Sequence, residues 1–305
     1  MRRSVAFLMV LMAAAFWAGS GLAAQEFFAR SDCDAMRLTN IRMILAGVLL
    51  LPLAWQRGGI KRSLRVLREK PKLWLEVALY AIVGILFMQY SYFQGIAIGN
   101  AAATTVIQYT CPAMVICYES LSHRHWPTVY EVAAVALAVF GILLLVTGGD
   151  MGKLTVPAEC IIWSLASGAF FAFSAIFPRH LLAKMDQFFL LSVGMLLGGL
   201  CSCFLVSELD WRPFCQPDVW WLVAYIIVMG TSAAFLLFNA GLIYLTPEEA
   251  TVISTAEPAA SVVLSAMIFG TFFGALELLG IAMVLGAILV PLLGSRIECL
   301  KKIRK

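Results

Sequence analysis

Along the chain, long apolar runs alternate with short polar breaks, and the runs have the length that a helix needs to cross a bilayer. The pattern predicts about ten spans, at roughly 5–25, 37–55, 75–97, 102–121, 129–147, 158–177, 187–206, 219–240, 249–270 and 276–295. The first run follows Arg2 and Arg3 and superficially resembles a signal peptide, but Trp17, Gly19 and Ser20 interrupt it and no soluble domain follows. Between the second and third runs, Ile60, Leu64 and Leu67 recur at helical spacing within QRGGIKRSLRVLREKPK. This predicts a short amphipathic helix lying on an anionic membrane surface.

Two runs carry a proline near their middle. Ala103–Ser122 contains Pro112, and Ala250–Thr271 contains Glu257-Pro258. A proline lacks an N–H and clashes with the preceding turn, so each helix is expected to kink, with the carbonyl of Ser254 losing its helical partner. Pro258 follows Pro112 by 146 positions, and the same offset matches Thr105 with Thr251, Trp17 with Trp163, Gly95 with Gly241 and Glu131 with Glu277. The chain thus reads as a duplicated half. Five spans per half is an odd number, so the second copy enters the membrane in the opposite sense. The expected fold is all-α and integral to the membrane: two inverted five-helix repeats around a central cavity. The boundaries are 1–148 and 158–296, with a linker at 149–157 and a basic tail at 297–305.

Composition agrees: 62% of residues are hydrophobic, 13% are charged, and the mean hydropathy is +0.90. The net charge of +4 falls in loops and termini, which points to membrane topology and not to nucleic acid. The basic residues around 57–72, at the N-terminus and in the tail place both termini in the cytoplasm of a multi-pass inner-membrane protein. Eight cysteines show no CxxC pair and no histidine at ligand spacing, so no metal site or cofactor is expected; Cys33 and Cys215 fall in loops on one side, where a disulfide is an open alternative. The short loops leave no room for a nucleotide-binding, catalytic or receptor domain. Histidines 123, 125 and 180 all fall in loops, against an intramembrane lipid-modifying enzyme.

On helical geometry, Gln108, Pro112, Val115 and Glu119 share one face, and Ser254, Pro258, Ser261 and Ser265 share the equivalent one. Two polar stripes suggest a cavity between the halves; the alternative is that they only rescue carbonyls freed at the kinks. Glu257, within hydrocarbon, is the candidate coupling or amine-binding group. Arg42, about one turn inside its span, is either interfacial or a clamp for a carboxylate. Trp17, Trp163, Tyr92, Gln94, Tyr109 and Asn239 are further candidates for lining the cavity.

Those residues, in order, resemble the EamA-type branch of the drug/metabolite transporter superfamily. The resemblance runs through Trp17-Ala-Gly-Ser, Asn40-Ile-Arg-Met-Ile-Leu-Ala46, Gly95 to Pro112, Gly148-Gly-Asp-Met-Gly-Lys-Leu154 and Leu245-Thr-Pro-Glu-Glu-Ala to Glu257-Pro258. The Gly-Glu-Arg-like motif that commonly ends the proline-bearing spans is replaced here by Ser-His123-Arg124 and Gly270-Thr271. The resemblance implies ten helices, a central cavity and export or facilitated passage of small metabolites such as amino acids. The partners are then a small-molecule substrate and the bilayer, with monomer and homodimer both open; a proton-coupled drug or cation antiporter is the alternative.

Overall fold

The structure, a computed structural model, describes residues 3–124, 126–150, 152–206, 210–241, 244–245, 250 and 253–303, and the backbone alone of Glu119, His123, Asn239 and 291–303. The described residues form α1 (Arg3–Arg30), α2 (Ala35–Gln56), the short α3 (Gly59–Glu69) and α4, which runs unbroken through Leu73–Leu79, Tyr80–Leu86 and Phe87–Ile98. The fourth span is split into α5 (Ala101–Gln108) and α6 (Cys111–His123), and α7 (Val129–Thr147) completes the first half. The second half contains α8 (Ala158–Ile176), α9 (Gln187–Ser202), α10 through Trp220–Ile227, Val228–Ala233 and Ala234–Gly241, α11 (Ala256–Phe269) and α12 (Ala275–Ile303). Seven of these spans are long and apolar enough to cross a bilayer, and the three around Gln187–Ser202, Ala256–Phe269 and Ala275–Val290 are shorter.

Helical packing exchanges the two halves. α2 packs on α9, α7 on α12 and α5 on α11, each pairing a span with its repeat mate. The remaining contacts come in equivalent couples: α1 with the end of α10 mirrors α8 with the end of α4, and α1 with α11 mirrors α8 with α5. Residues matched at the 146 offset serve matched tasks. Glu131 Oε2 accepts from the N–H of Thr128 at the start of α7, and Glu277 Oε2 accepts from Gly274 N–H at the start of α12. These glutamates are helix caps. Gly95 faces Ser164 of α8, and Gly241 faces Val10 of α1, so a side chain at either glycine would push apart the same kind of contact.

Close approach holds the self-paired spans together. A Cβ on Gly280 would lie 2.5 Å from the Gly141 carbonyl oxygen, so α7 and α12 meet backbone to backbone. Between α2 and α9, the amide of buried Asn40 donates to Gly199 O and Ser202 Oγ, and Ser192 donates to Gly47 O. Both α4 and α10 contain a π-helical stretch at similar depth, Tyr80–Leu86 and Val228–Ala233. The amphipathic helix forms as expected: Gly59, Ser63 and Leu67 face the protein, and the basic residues face out.

One end of the bundle is shut by aromatic packing. Phe27 stacks on Phe214 with centroids 5.6 Å apart, and Phe28 meets Phe93 edge to face at 6.3 Å. Cys33 is buried beside this end and Cys215 is exposed, and both are free thiols. Burial, with Asp34 alongside, pushes the Cys33 thiol up to about 12. We expect maleimide to modify exposed Cys215 readily in the folded protein while Cys33, buried and with its thiol pushed up, reacts far more slowly. Peptide mass mapping of labelled protein checks this, and equal labelling of the two would contradict the burial of the α1–α2 turn.

Candidate functional site

The proline-bearing spans meet at the centre. In α11 the missing N–H of Pro258 leaves the Ser254 carbonyl without its helical donor. The donor comes from the other half: the hydroxyl of Tyr109, at the break between α5 and α6, lies 3.1 Å from Ser254 O and 2.8 Å from Glu257 Oε2. A phenol has one hydrogen to give. With Glu257 ionised, that hydrogen belongs to the carboxylate; with Glu257 protonated, the acid can donate to the tyrosine, leaving the phenol hydrogen for Ser254. Pro112 similarly frees the Gln108 carbonyl, against which Gly168 of α8 packs closely enough that a Cβ would sit 3.1 Å away. The Gln108 amide donates to Ser167 Oγ at 2.7 Å, Ser167 donates to Met88 O, and Tyr92 pairs with Thr105 at 2.9 Å.

Arg42 lies on α2 facing this centre and is 8% exposed. Its Nε donates to Thr231 Oγ1 at 2.8 Å, and its guanidinium sits 5.0 Å from the centroid of Phe93. Thr231 belongs to the π-helical stretch of α10, and its hydroxyl reaches back five residues to Ile226 O. The wider helical turn thus presents a hydroxyl that both satisfies its own backbone and orients the arginine. Arg42 is therefore a cavity charge and not an interfacial one. Its terminal nitrogens have no hydrogen-bond or ion-pair partner among the described residues, and it forms no ion pair with Glu257, although each feels the other's charge.

These groups line a cavity of about 490 Å³ between the halves. It starts at Arg42, Tyr92 and Glu257 and runs to Pro178, Leu182, Gln187 and Phe188, at the end of the bundle where α3 packs. Of the residues expected from sequence, Trp17, Arg42, Tyr92, Gln108, Tyr109, Pro112, Ser254 and Glu257 lie on its wall. Trp17 stands among Phe235 and Phe238, at 5.6 and 5.4 Å. Pro258 is buried behind the wall, and the stripe below it turns into the protein, with Ser265 bonded to Thr271. The side chains of Asn239 and Glu119 lie outside the described residues, as does Thr251.

Two of the expected residues lie off this wall. Trp163 is the repeat mate of Trp17, yet it packs edge to face on Tyr90 at 5.3 Å, away from the cavity. Gln94 is likewise off the wall, and Gln89 takes the place assigned to it. Helical geometry gives the reason: Gln94 is two residues past Tyr92 and points about 200° away, whereas Gln89 is three residues before it and shares its face. Gln89 is 5% exposed, and its Oε1 has no hydrogen-bond partner. Ser20, Ser174 and Phe171 also line the wall without having stood out in the sequence.

The EamA-like transporter family model matches residues 4–147 and 158–293, one match for each half. The chain belongs to the EamA-like transporter family. As an EamA-like protein, and so a member of the drug/metabolite transporter superfamily, it is a multi-pass membrane transporter, and the cavity is to be understood in that light. It is 28% identical over 289 residues to the uncharacterized inner membrane transporter YicL of Salmonella typhimurium, covering 95% of each chain. To the uncharacterized transporter YwfM of Bacillus subtilis it is 24% identical over 291 residues, covering 95% of this chain and 94% of that one. A solved crystal structure at 19% identity superposes with a TM-score of 0.64 over 97% of this chain and 100% of its own, and so shares the fold.

Replacing Tyr109 with phenylalanine removes the one donor shared by Ser254 O and Glu257. Leaving a buried acceptor unsatisfied costs about 1–3 kcal/mol, so Tyr109→Phe should lower the unfolding midpoint of the purified protein clearly below that of Tyr92→Phe, whose partner Thr105 can rebond to its own backbone. Equal midpoints would mean that the α5–α6 break and α11 do not depend on this bond.

Proposed function

We propose that the protein moves small polar metabolites, amino acids or similar compounds bearing both charges, across the inner membrane by alternating access of its two halves, as an exporter or facilitator. The observation that carries this reading is the separation of Arg42 from Glu257 in one cavity. A cation and an acid face the same space without bonding to each other, each held by a neutral partner, Thr231 or Tyr109. A substrate carboxylate would take the two terminal nitrogens of Arg42 in a bidentate pair. Its amine would face Glu257, and Gln89 Oε1 offers a further acceptor. Trp17, Phe235 and Phe238 would cover the apolar part. The volume suits a small solute and lies within the usual range of roughly 300–1,000 Å³.

The basic residues on α3 support, under the positive-inside rule, a cytoplasmic position for that end of the bundle and for both termini. The arrangement described is then open inward, and the aromatic layer of Phe27, Phe28, Phe93 and Phe214 forms the outer seal. The second reading, a proton-coupled antiporter of drugs or cations, draws on the single hydrogen of Tyr109. Protonation of Glu257 frees that hydrogen for Ser254 O, so proton binding would change the bonding between the halves. Uptake and efflux in proteoliposomes over a panel of amino acids and other metabolites, with and without a pH gradient, test the proposal; no movement of any compound bearing both charges would remove it.

Trp17→Ala should reduce transport about tenfold or more at normal protein abundance, whereas Trp163→Ala should lower abundance and leave the transport per molecule near wild type. Flux normalised to immunoblot intensity distinguishes the two, and equal flux losses would return Trp163 to the substrate path. Glu257→Gln keeps an acceptor for Tyr109 and cannot exchange a proton. If transport is coupled, this variant should retain passive exchange and lose gradient-driven accumulation; accumulation equal to wild type would exclude Glu257 as the coupling group.

A further inference from the structure

We infer that α3 is a sensor of anionic lipid headgroups, tied to the mouth of the cavity. Lys61, Arg62, Arg65 and Arg68 project from this helix, flanked by Arg57, Lys70 and Lys72, and Glu69 is the one acid among residues 57–72. All seven cations are exposed, and none forms an ion pair among the described residues. A dense, unneutralised charge on a helix that begins three residues after α2 ends is complementary to the phosphates of an anionic leaflet. The opposite face is fully used. Leu67 is 1% exposed in a core with Ala54, Leu181, Met185 and Phe188, so the helix offers lipid its charge and keeps its apolar side for the protein.

That apolar side holds the turn which forms the cavity mouth. Ser63 Oγ accepts from the N–H of Asp186 at 3.0 Å, and Gly59 lies so close that a Cβ there would meet Asp186 Cγ at 2.5 Å. Asp186 in turn caps α9, its Oδ1 accepting from Phe188 and Phe189 N–H at 3.0 Å each. Arg57 lies 4.6 Å from the centroid of Phe188. Phe188 and Gln187 are cavity-wall residues, with Leu182 exposed beside them at the surface. A pull on α3 from the membrane therefore reaches the mouth through one hydrogen bond, one close backbone contact and one ring. Anionic lipid, by seating α3, holds the Asp186 turn in place and stabilises the arrangement in which the cavity reaches that end.

The inference does not depend on what the cavity carries, and its test needs no substrate. The full-length protein is placed in nanodiscs of phosphatidylcholine alone or with phosphatidylglycerol, and backbone hydrogen exchange is followed by mass spectrometry. Anionic lipid should slow exchange in both 57–72 and 179–190, by about fivefold or more given the attraction of each basic residue to such a surface, and should leave 210–219 at the opposite end unchanged. High salt, and the variant Lys61→Gln/Arg62→Gln/Arg65→Gln/Arg68→Gln, should remove both responses. No response at 57–72, an equal response in the variant, or a response at 57–72 without one at 179–190 would overturn the inference. So would an equal change at 210–219, which marks a global effect, or the same protection from inorganic phosphate in phosphatidylcholine discs, which marks a soluble-anion site.

Discussion

Inside hydrocarbon a backbone carbonyl with no donor has no water to fall back on, and this architecture is shaped by that constraint at the two prolines. Each proline removes a helical N–H in the middle of the bundle; the carbonyl freed at Ser254 is given a donor from another span, and the one at Gln108 is closely packed by another. The second half's Ser254 is served by a tyrosine of the first half, and the first half's Gln108 is approached by Gly168 of the second. The halves are thus joined where their helices are broken. The break at Tyr109 also turns the phenol towards Glu257, so a structural repair places a hydrogen-bond donor beside the one acid that lines the cavity among the described residues.

The inverted duplication extends this logic from one bond to the whole bundle. Spans that pair with their own mates, α2 with α9 and α7 with α12, meet through glycine and small polar contacts that let backbones touch. Charge, however, breaks the symmetry. Arg42 has Phe188 as its counterpart at the 146 offset, and Glu257 has Cys111, so the acid and the base each occur once. The scaffold is duplicated while its cavity is asymmetric, with the cation and the acid on different elements.

Much of this was legible in the chain because hydrocarbon imposes simple rules on sequence. Span number, the amphipathic α3, both kinks and the duplication follow from hydropathy, proline chemistry and spacing. Arg42 and Glu257 stood out because charge in a span requires a reason. Side-chain direction was harder to read. Repeat matching pairs Trp163 with Trp17, and their spans do pack on equivalent neighbours, but the rings meet different side chains: Phe235 and Phe238 for Trp17, Tyr90 for Trp163. Gln94 and Gln89 are the same residue type, and only the three-residue separation from Tyr92 puts Gln89 on the cavity face. Thr231 left no usable trace, since its role depends on a π-helical stretch that apolar periodicity does not mark. Cys33 is buried in the same apolar cluster as Phe27 and Phe214, a cluster drawn from both halves.

The backbone contact between Gly141 and Gly280 also sets a schedule. These residues are 139 positions apart, counting from 141 to 280, and a ribosome adding roughly 5–20 residues per second needs on the order of ten seconds to cover that distance. During that interval α7 is already in the membrane without its tightest neighbour. The face around Gly141 must be covered by lipid, by the insertion machinery or by another nascent helix until α12 arrives. The α7 seam therefore closes only when α12 arrives, and a chain that stalls before that point leaves it open.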